Sequence, residues 1–337
     1  MKQNVFWMTA VFMTVLAVSG CRKAPSKPPT AAMDIQFGTP QKTGGDLAPS
    51  LVVLDDGTLV MIAFRSGNYR SASELEEAIF IYESRDDGQT WSKIAGIKTI
   101  ITQSVWGRAI ATDGKRIHFA WVSALPETTG VQVYKAVMLS HSDDGGRTWT
   151  KPVIVNTTRT GQRRNPAIAA NGSNVCVAWL CKPGGRNAGE QVFAAVSMDG
   201  GASFSPEVCA EPRLDNQLSG SGKPSIALVG EKTYCVFSAY YPERNGTLCI
   251  ARNDGSGPLW PSKLTMKDKL VDEVSAVATG EKLRVLATLN IGVSIGIGGP
   301  AVSHKVYYFE SDDGGENWTE ARVDDDSRSP PGAKWLP

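Results

Sequence analysis

The octet Ser142-Asp143-Asp144-Gly145-Gly146-Arg147-Thr148-Trp149 recurs along the chain with the pattern Ser-x-Asp-x-Gly-x-Thr-Trp. Further copies, each closing on an aromatic residue, are Ser84–Trp91, Ser197–Phe204, Ser311–Trp318 and a degenerate copy at Asn253–Trp260. The closing aromatics at 91, 149, 204, 260 and 318 lie 58, 55, 56 and 58 residues apart. A fixed period of this size indicates one structural unit copied along the chain.

The chemistry of the octet is that of a reinforced turn. Short Ser and Asp side chains accept hydrogen bonds from nearby backbone N–H groups. Glycine permits a positive φ, and the aromatic residue provides an apolar anchor where the next strand begins. We therefore assign a structural role, and not a catalytic one, to the octet carboxylates Asp86, Asp144, Asp199 and Asp313.

Composition excludes several classes of function. The chain has 337 residues, with 35 Lys and Arg against 34 Asp and Glu. A net charge near zero gives no reason to expect a nucleic-acid partner. The three histidines are scattered singly and no Cys-x-x-Cys occurs, so the sequence predicts no metal site, and we expect no cofactor.

The N-terminal segment has the features of an export signal. Val5 to Val18 is apolar, and Leu16 to Cys21 resembles the lipobox of bacterial lipoproteins. The resemblance implies a signal peptide over 1–20, lipidation of Cys21, a proline-rich tether over 21–33 and a domain over 34–337. The expected location is the bacterial cell envelope, membrane-anchored and facing the periplasm or exterior. An uncleaved anchor and a plain secretory signal are the alternatives.

Five cysteines follow Cys21, and an odd number leaves at least one unpaired within the chain. Cys235 and Cys249 lie symmetrically about residue 242, where a turn is expected. The spacing suggests that these two face each other across a hairpin, as a disulfide or as buried apolar residues.

Each period contains a small-residue strand, a tight turn, a bulkier strand, a variable loop and a third strand that leads into the octet. Several short strands at regular spacing, without helical patterns, predict an all-β fold. Four antiparallel strands per unit predict a β-propeller, with a linear solenoid as the alternative. Five repeats favour five blades, and residues 34–42, which read as a lone outer strand, leave six open.

The octets resemble the Asp boxes, or BNR repeats, of the sialidase (neuraminidase) superfamily over residues 46–323. The resemblance implies Asp boxes on the rim and a carbohydrate site on the opposite face. If the chain is an enzyme, a glycoside hydrolase of the exo-sialidase type is implied. In that superfamily an Arg-Ile-Pro motif opens the first blade, and its Arg grips the sugar carboxylate. Here the motif reads Leu47-Ala48-Pro49, so the gripping Arg is missing.

Charged and aromatic residues collect where the inner strands begin and in the loops after the second strands. The position of the family's catalytic acid falls near Ser73, beside Glu74, Glu76 and Glu77. For the family's Tyr–Glu pair, the resemblance offers only a loop of suitable type near residue 240. The predicted catalytic carboxyls are Glu74, Glu77, Asp272 and Glu273. The predicted ligand-binding residues are Arg108, Arg163, Arg164, Lys223, Tyr240, Tyr241 and Glu243. A Gly-rich loop, 291–303, is expected to cover the funnel.

Two functions follow from these expectations. The first is an exported propeller that binds, and in one version hydrolyses, carbohydrate at its central funnel, with a small polar ligand as partner. The second is a non-catalytic propeller that serves as a protein-interaction platform in the cell envelope.

Overall fold

The computed structural model describes residues 47–64, 76–99, 107–124, 135–182, 189–210, 220–230, 232–241, 244–253, 260–264, 270–296, 299–313 and 317–322. Cys21, Glu74, Glu243, the boundaries at 20 and 33 and the expected outer strand at 34–42 lie outside these residues. Their assignments therefore stay predictions.

Strands account for all the regular structure in the described ranges, where no helix is long and apolar enough to cross a membrane. By sheet, the strands are β1 Leu47–Val53, β2 Leu59–Phe64, β3 Glu76–Ser84 and β4 Ser92–Thr99; β5 Arg108–Thr112, β6 Ile117–Ala124, β7 Lys135–Ser142 and β8 Val153–Ile154; β9 Gln162–Asn171, β10 Asn174–Lys182, β11 Gln191–Ser197 and β12 Val208–Cys209; β13 Gly220–Ser221, β14 Ser225–Val229, β15 Lys232–Tyr241, β16 Arg244–Asn253 and β17 Trp260–Leu264; β18 Leu270–Thr279, β19 Lys282–Gly296, β20 Gly299–Ser311 and β21 Thr319–Arg322.

Each sheet is an antiparallel meander whose strands pair in chain order, and in the fourth sheet β13 and β14 both pair with β15. The first full strands of successive sheets contact one another in the series β1, β5, β9, β14, β18. Sheets that share a line of inner strands and radiate outward are the blades of a β-propeller. The all-β propeller prediction is therefore confirmed. The described residues contain five sheets, and the number of blades in the complete ring stays a prediction.

Apolar faces between consecutive blades form the core. Ile62 and Ile81 of the first blade pack with Phe119 and Trp121 of the second, and all four are at most 1 % exposed. Equivalent clusters join the second blade to the third, the third to the fourth and the fourth to the fifth. Full burial of one such side chain contributes about 1.5–3 kcal/mol, so these faces supply most of the stabilisation.

The four octets within the described ranges share one hydrogen-bond pattern. In the second, the Asp144 carboxylate accepts from Ser142 Oγ at 2.8 Å and from Thr148 N and Oγ1 at 2.8 and 2.6 Å. Ser142 Oγ in turn accepts from Gly146 N at 2.8 Å. The same serine-to-aspartate bond and the same two bonds from the residue four positions on occur at Asp86, Asp199 and Asp313.

These bonds hold the octet carboxylates ionised. For Asp86 and Asp199, the side-chain hydroxyls of Thr90 and Ser203 contribute most, and the pKa falls to about 2. For Asp144, burial opposes ionisation, but the bonds from Thr148 and Ser142 outweigh it and lower the pKa to about 2. An ionised acceptor with three donors is a structural element of the turn.

The octets also tie each blade to the one before it. Gly146 has a φ of 92°, and a Cβ there would lie 3.2 Å from Ile81 of the first blade. From the same octet, Arg147 Nη2 donates to Glu83 Oε2 of the first blade at 2.6 Å. The third octet repeats the close approach, since a Cβ on Gly201 would lie 2.8 Å from Leu139 of the second blade.

Strand direction separates the octets from the predicted site. The first and third strands of a blade run the same way, so the octet, after the third strand, lies at the end where the first strand finishes. The starts of the inner strands lie at the opposite end, together with the ends of the second strands. We call this opposite end the funnel end.

Two expectations were wrong. Residues 291–296 and 299–303 extend β19 and β20 into one long hairpin, with Gly292 opposite Ser303 and Gly296 opposite Gly299. The segment is therefore a pair of strands and not a loop, because the alternating apolar residues Val293 and Ile295 favour a strand. That it covers the funnel stays a prediction.

The prediction that Cys235 and Cys249 face each other across a hairpin was also wrong. Cys235 lies opposite Ala251 and Cys249 opposite Phe237, since a bulge between Ala239 and Tyr241 shifts the register. Both residues are buried, as are Cys176 and Cys181, and Cys209 is half-buried. Burial raises the pKa of Cys176 to about 12, which keeps it an unreactive apolar group.

The octet geometry makes a testable prediction. Asp144→Ala removes the acceptor for four donors, the fourth being Arg147 N at 3.0 Å, and should lower the free energy of unfolding by about 1–2 kcal/mol. Asp144→Asn retains one carbonyl acceptor and should lose less. Urea unfolding of both variants measures the difference. Equal stability of the Ala variant and the parent would show that the bonds contribute nothing to the fold.

Candidate functional site

The funnel end carries charged side chains on neighbouring inner strands. Arg108 begins β5, Arg164 lies near the start of β9, Lys223 precedes β14 and Glu273 lies in β18. Because these inner strands contact one another in series, their starting residues lie at the same end of neighbouring blades. Four of the predicted residues therefore lie at the funnel end of the described blades.

Two ion pairs join charges of this group. Lys223 Nζ lies 3.9 Å from Glu273 Oε1, across the boundary between the fourth and fifth blades, and both side chains are more than half exposed. Arg164 Nη2 contacts Glu190 Oε2 within the third blade, with Arg164 also about half exposed. Exposed pairs of this kind contribute at most about 1 kcal/mol, so a polar ligand competes for them at little cost in stability.

Arg163 does not belong to this exposed group. Its side chain is 0 % exposed and donates to Thr158 O and Thr158 Oγ1 at 2.7 and 2.6 Å, and to Lys135 O at 3.2 Å. Its guanidinium also lies 3.8 Å from Glu207 Oε1, whose side chain is 3 % exposed. The prediction of Arg163 as a ligand contact is therefore corrected: it binds the second blade to the third.

Strand alternation explains why the Arg163 side chain is buried and the Arg164 side chain is exposed. Adjacent residues of a strand point to opposite faces of the sheet. Arg163 pairs with Cys181, which lies in the apolar cluster between the second and third blades. Arg164 therefore points the other way, and Asn165, with a φ of 48°, forms a bulge directly after it.

The remaining predicted residues are placed as follows. Glu77 lies on β3, two strands out from the inner strand, and its carboxylate meets Lys93 Nζ at 2.5 Å, so it is not brought together with Glu273. Asp272 lies at a register shift in β18, beside Glu273. Tyr240 and Tyr241 end β15 at the funnel end, opposite Gly220 and Arg244.

Sequence reasoning missed Glu190 and Glu207. Glu190 immediately precedes β11, the third strand of its blade, and third strands begin at the funnel end. Its carboxylate contacts Arg164 there. Glu207 lies just before the outer strand β12 and carries no signal in the repeat, because burial of its carboxylate depends on the second blade.

The arrangement offers hydrogen-bond donors, hydrogen-bond acceptors and charge. In the ranges that the structure describes, no three His, Cys, Asp or Glu side chains are placed to hold a metal ion. Cationic Arg164 and Lys223 next to the carboxylates of Glu190 and Glu273 present both hydrogen-bond donors and acceptors to a hydroxylated ligand.

Adjacent arginines provide a matched test of this geometry. Arg163→Met leaves Glu207 buried without its cation, which typically costs about 3–5 kcal/mol of folding free energy. Arg164→Met breaks an exposed pair and should cost less than about 1 kcal/mol. Urea unfolding of the two variants compares them directly. Similar losses of stability would contradict the placement of Arg163 in the core.

Comparison with known proteins identifies the repeat. Residues 48–282 match the family model of the BNR repeat-like domain. A sialidase from Paraclostridium sordellii is 29% identical over 136 aligned residues, covering 35% of this chain and 32% of the sialidase. The match thus spans about a third of that sialidase's length.

Several solved structures are similar to this chain over most of its length. An alpha-L-arabinanase from Penicillium chrysogenum, complexed with arabinobiose, is 15% identical, with 77% of this chain and 80% of that chain covered and a TM-score of 0.48. The alpha-L-arabinofuranosidase of Fusarium graminearum is 12% identical, with 84% and 94% covered and a TM-score of 0.49. The Hadza microbial sialidase Hz136 is 16% identical, with 82% and 58% covered and a TM-score of 0.48. These values are too low to support an inference about activity.

The octets, the series of four-stranded blades and the family match agree over most of the chain. This chain belongs to the BNR repeat-like domain family.

Proposed function

We propose that the propeller binds carbohydrate at its funnel end. The observation that carries the proposal is the exposed pair Lys223–Glu273, which joins two adjacent inner strands at the funnel end. Arg164 and Glu190 provide a second pair at the same end of the third blade. The partial match to a sialidase and the membership of the BNR repeat-like family support a carbohydrate ligand over other small polar molecules.

The chemistry of these side chains suits a sugar. Ammonium and guanidinium groups donate to hydroxyl and carboxylate oxygens, while Glu190 and Glu273 accept from hydroxyl groups. The two pairs are exposed enough to exchange their ion-pair contacts for contacts with a ligand. Tyr240 and Tyr241, at the end of β15, are proposed to line the same site.

Hydrolysis is the finer version of the proposal. A glycosidase uses two carboxyls, about 5–10 Å apart, on either side of the scissile bond. Glu273 is the proposed acid, with Asp272, Glu190 and the predicted Glu74 as candidates for its partner. Leu47 stands where a sialidase has the Arg that grips the sugar carboxylate, so the proposed substrate is a glycoside other than sialic acid.

The test uses one lysine at each end of the fourth blade. Lys223→Ala removes a charge-assisted donor at the funnel end and should weaken carbohydrate binding about tenfold or more. Lys232→Ala removes an exposed lysine at the octet end of the same blade and should leave binding unchanged. Calorimetry with neutral oligosaccharides, uronic-acid oligosaccharides and sialyllactose measures binding, and reducing-sugar release measures hydrolysis.

Each outcome has a meaning. Binding without sugar release retains the carbohydrate-binding function and removes the enzyme. Absence of binding across the panel, or equal effects of Lys223→Ala and Lys232→Ala, overturns the proposal. The protein-interaction platform would then be the remaining candidate.

We further propose that the protein is exported and held at the membrane through Cys21. The support is the apolar run 5–18 followed by Leu16-Ala17-Val18-Ser19-Gly20-Cys21. With Cys21→Ala, labelled fatty acid should no longer be incorporated and the protein should leave the membrane fraction. Cys209→Ala, which changes a half-buried thiol of the folded domain, is the control. Unchanged membrane association of Cys21→Ala would contradict lipid anchoring.

A further inference from the structure

His118 is an unusual residue of the interface between the second and third blades. It lies in β6, its side chain is 0 % exposed, and neither Nδ1 nor Nε2 has a hydrogen-bond partner. Buried polar groups are nearly always hydrogen-bonded, and an unpaired one costs free energy. A fully buried imidazole without partners therefore requires an explanation.

The repeat shows that the fold does not need histidine here. Strand register aligns the octet serines Ser84, Ser142 and Ser197 with Leu59, Ile117 and Val175 on the second strands. The next residue is Val60 in the first blade, His118 in the second and Cys176 in the third. The first and third blades bury an apolar side chain at the position that His118 occupies.

A second imidazole lies directly beside His118. His141 is its cross-strand partner on β7, with ring centroids 5.7 Å apart and ring planes inclined by 48°. Its side chain is 15 % exposed, and its Nε2 lies 3.9 Å from Asp143 Oδ2. Protonation of both rings would place two cations in contact inside the interface.

The surrounding charges do not favour two imidazolium ions. Arg116, on the turn before β6, donates through Nε to Asp143 Oδ1 at 2.5 Å, so this carboxylate already has a cation. Asp113, on the same turn, is the other carboxylate near His118. The third blade contributes the backbone of Gly201, and a Cβ there would lie 3.7 Å from His118 Nδ1.

We propose that His118 and His141 form an acid-sensitive latch between the second and third blades. The neutral rings pack closely and hold the third octet against the second blade. Protonation makes the buried pair mutually repulsive and adds to the charge of Arg116, so the contact opens locally while the remaining apolar faces hold the propeller together.

The pH window follows from the direction of the shifts. Burial, followed by the charge of His141, lowers the pKa of His118 from 6.5 to about 4, and burial also lowers the pKa of His141. A lowered histidine pKa means that the unfolded or opened state binds more protons. The closed state is therefore favoured above about pH 6.5 and loses stability as the pH falls towards 4.

The octet carboxylates titrate in a different window. The pKa values of Asp86, Asp144 and Asp199 are lowered to about 2, so their contribution is lost only as the pH falls from about 4 through 2. A loss of protection between pH 6.5 and 4.5 that is confined to one octet therefore reports on the histidines.

Hydrogen exchange of the whole protein tests the latch. Gly201 N donates to Ser197 Oγ in the third octet, and Gly88 N makes the same bond to Ser84 Oγ in the first, which serves as the reference. From pH 7 to pH 4.5, protection in 197–204, corrected for intrinsic exchange, should fall about tenfold or more relative to 84–91. His118→Leu should abolish this pH-dependent difference, and His304→Gln, in β20, should preserve it.

Three results would overturn the proposal. One is an equal change in both octets. Another is a His118→Leu protein that keeps the pH-dependent difference. The third is stabilisation by Zn²⁺ at pH 7 that His118→Leu abolishes, which would assign the imidazole pair to metal binding. If His118→Leu does not fold, NMR titration of the histidine rings in the parent decides, since a His118 pKa near 6.5 contradicts the latch.

Discussion

The structure depends on the burial of apolar side chains between consecutive blades. Ile62 and Ile81 meet Phe119 and Trp121, and the same kind of contact is repeated three more times around the described sheets. A single four-stranded sheet cannot bury both of its faces, so each blade needs its neighbours. This requirement, and not the octets, is what makes the repeat a propeller.

The octets act as directional ties on top of this packing. The four with described aspartates are closed by their own carboxylate, as at Asp144, and the second and third present a glycine where a Cβ would press on the preceding blade, at Gly146 and Gly201. They therefore fix which end of a blade contacts the previous blade. The polar side chains of the octets lie at one end of the blades. The other end carries charged residues that the fold does not need, such as Lys223 and Glu273.

The same interface that stabilises the ring contains polar residues of two kinds. Arg163 donates hydrogen bonds to the second blade and has a carboxylate beside it. His118 is buried without hydrogen bonds, in a position that the first and third blades fill with the apolar groups of Val60 and Cys176. The first arrangement pairs a buried cation with a carboxylate, whereas the second is stable only while the ring is neutral.

Sequence alone determined the features that recur. The period of the octets, the turn chemistry of Asp86, Asp144, Asp199 and Asp313, and the alternation of short strands predicted an all-β propeller and placed Lys223 and Glu273 where inner strands begin. These features are local, or are repeated often enough to be recognised without knowing what packs against them.

Tertiary structure alone decided what each single residue contacts. Strand alternation and the bulge at Asn165 buried Arg163 and exposed Arg164, the register shift near Tyr241 separated Cys235 from Cys249, and the second blade determined the partners of Glu207. The physical reason is that burial and charge pairing depend on residues far away in the chain, and one period of sequence carries no information about them.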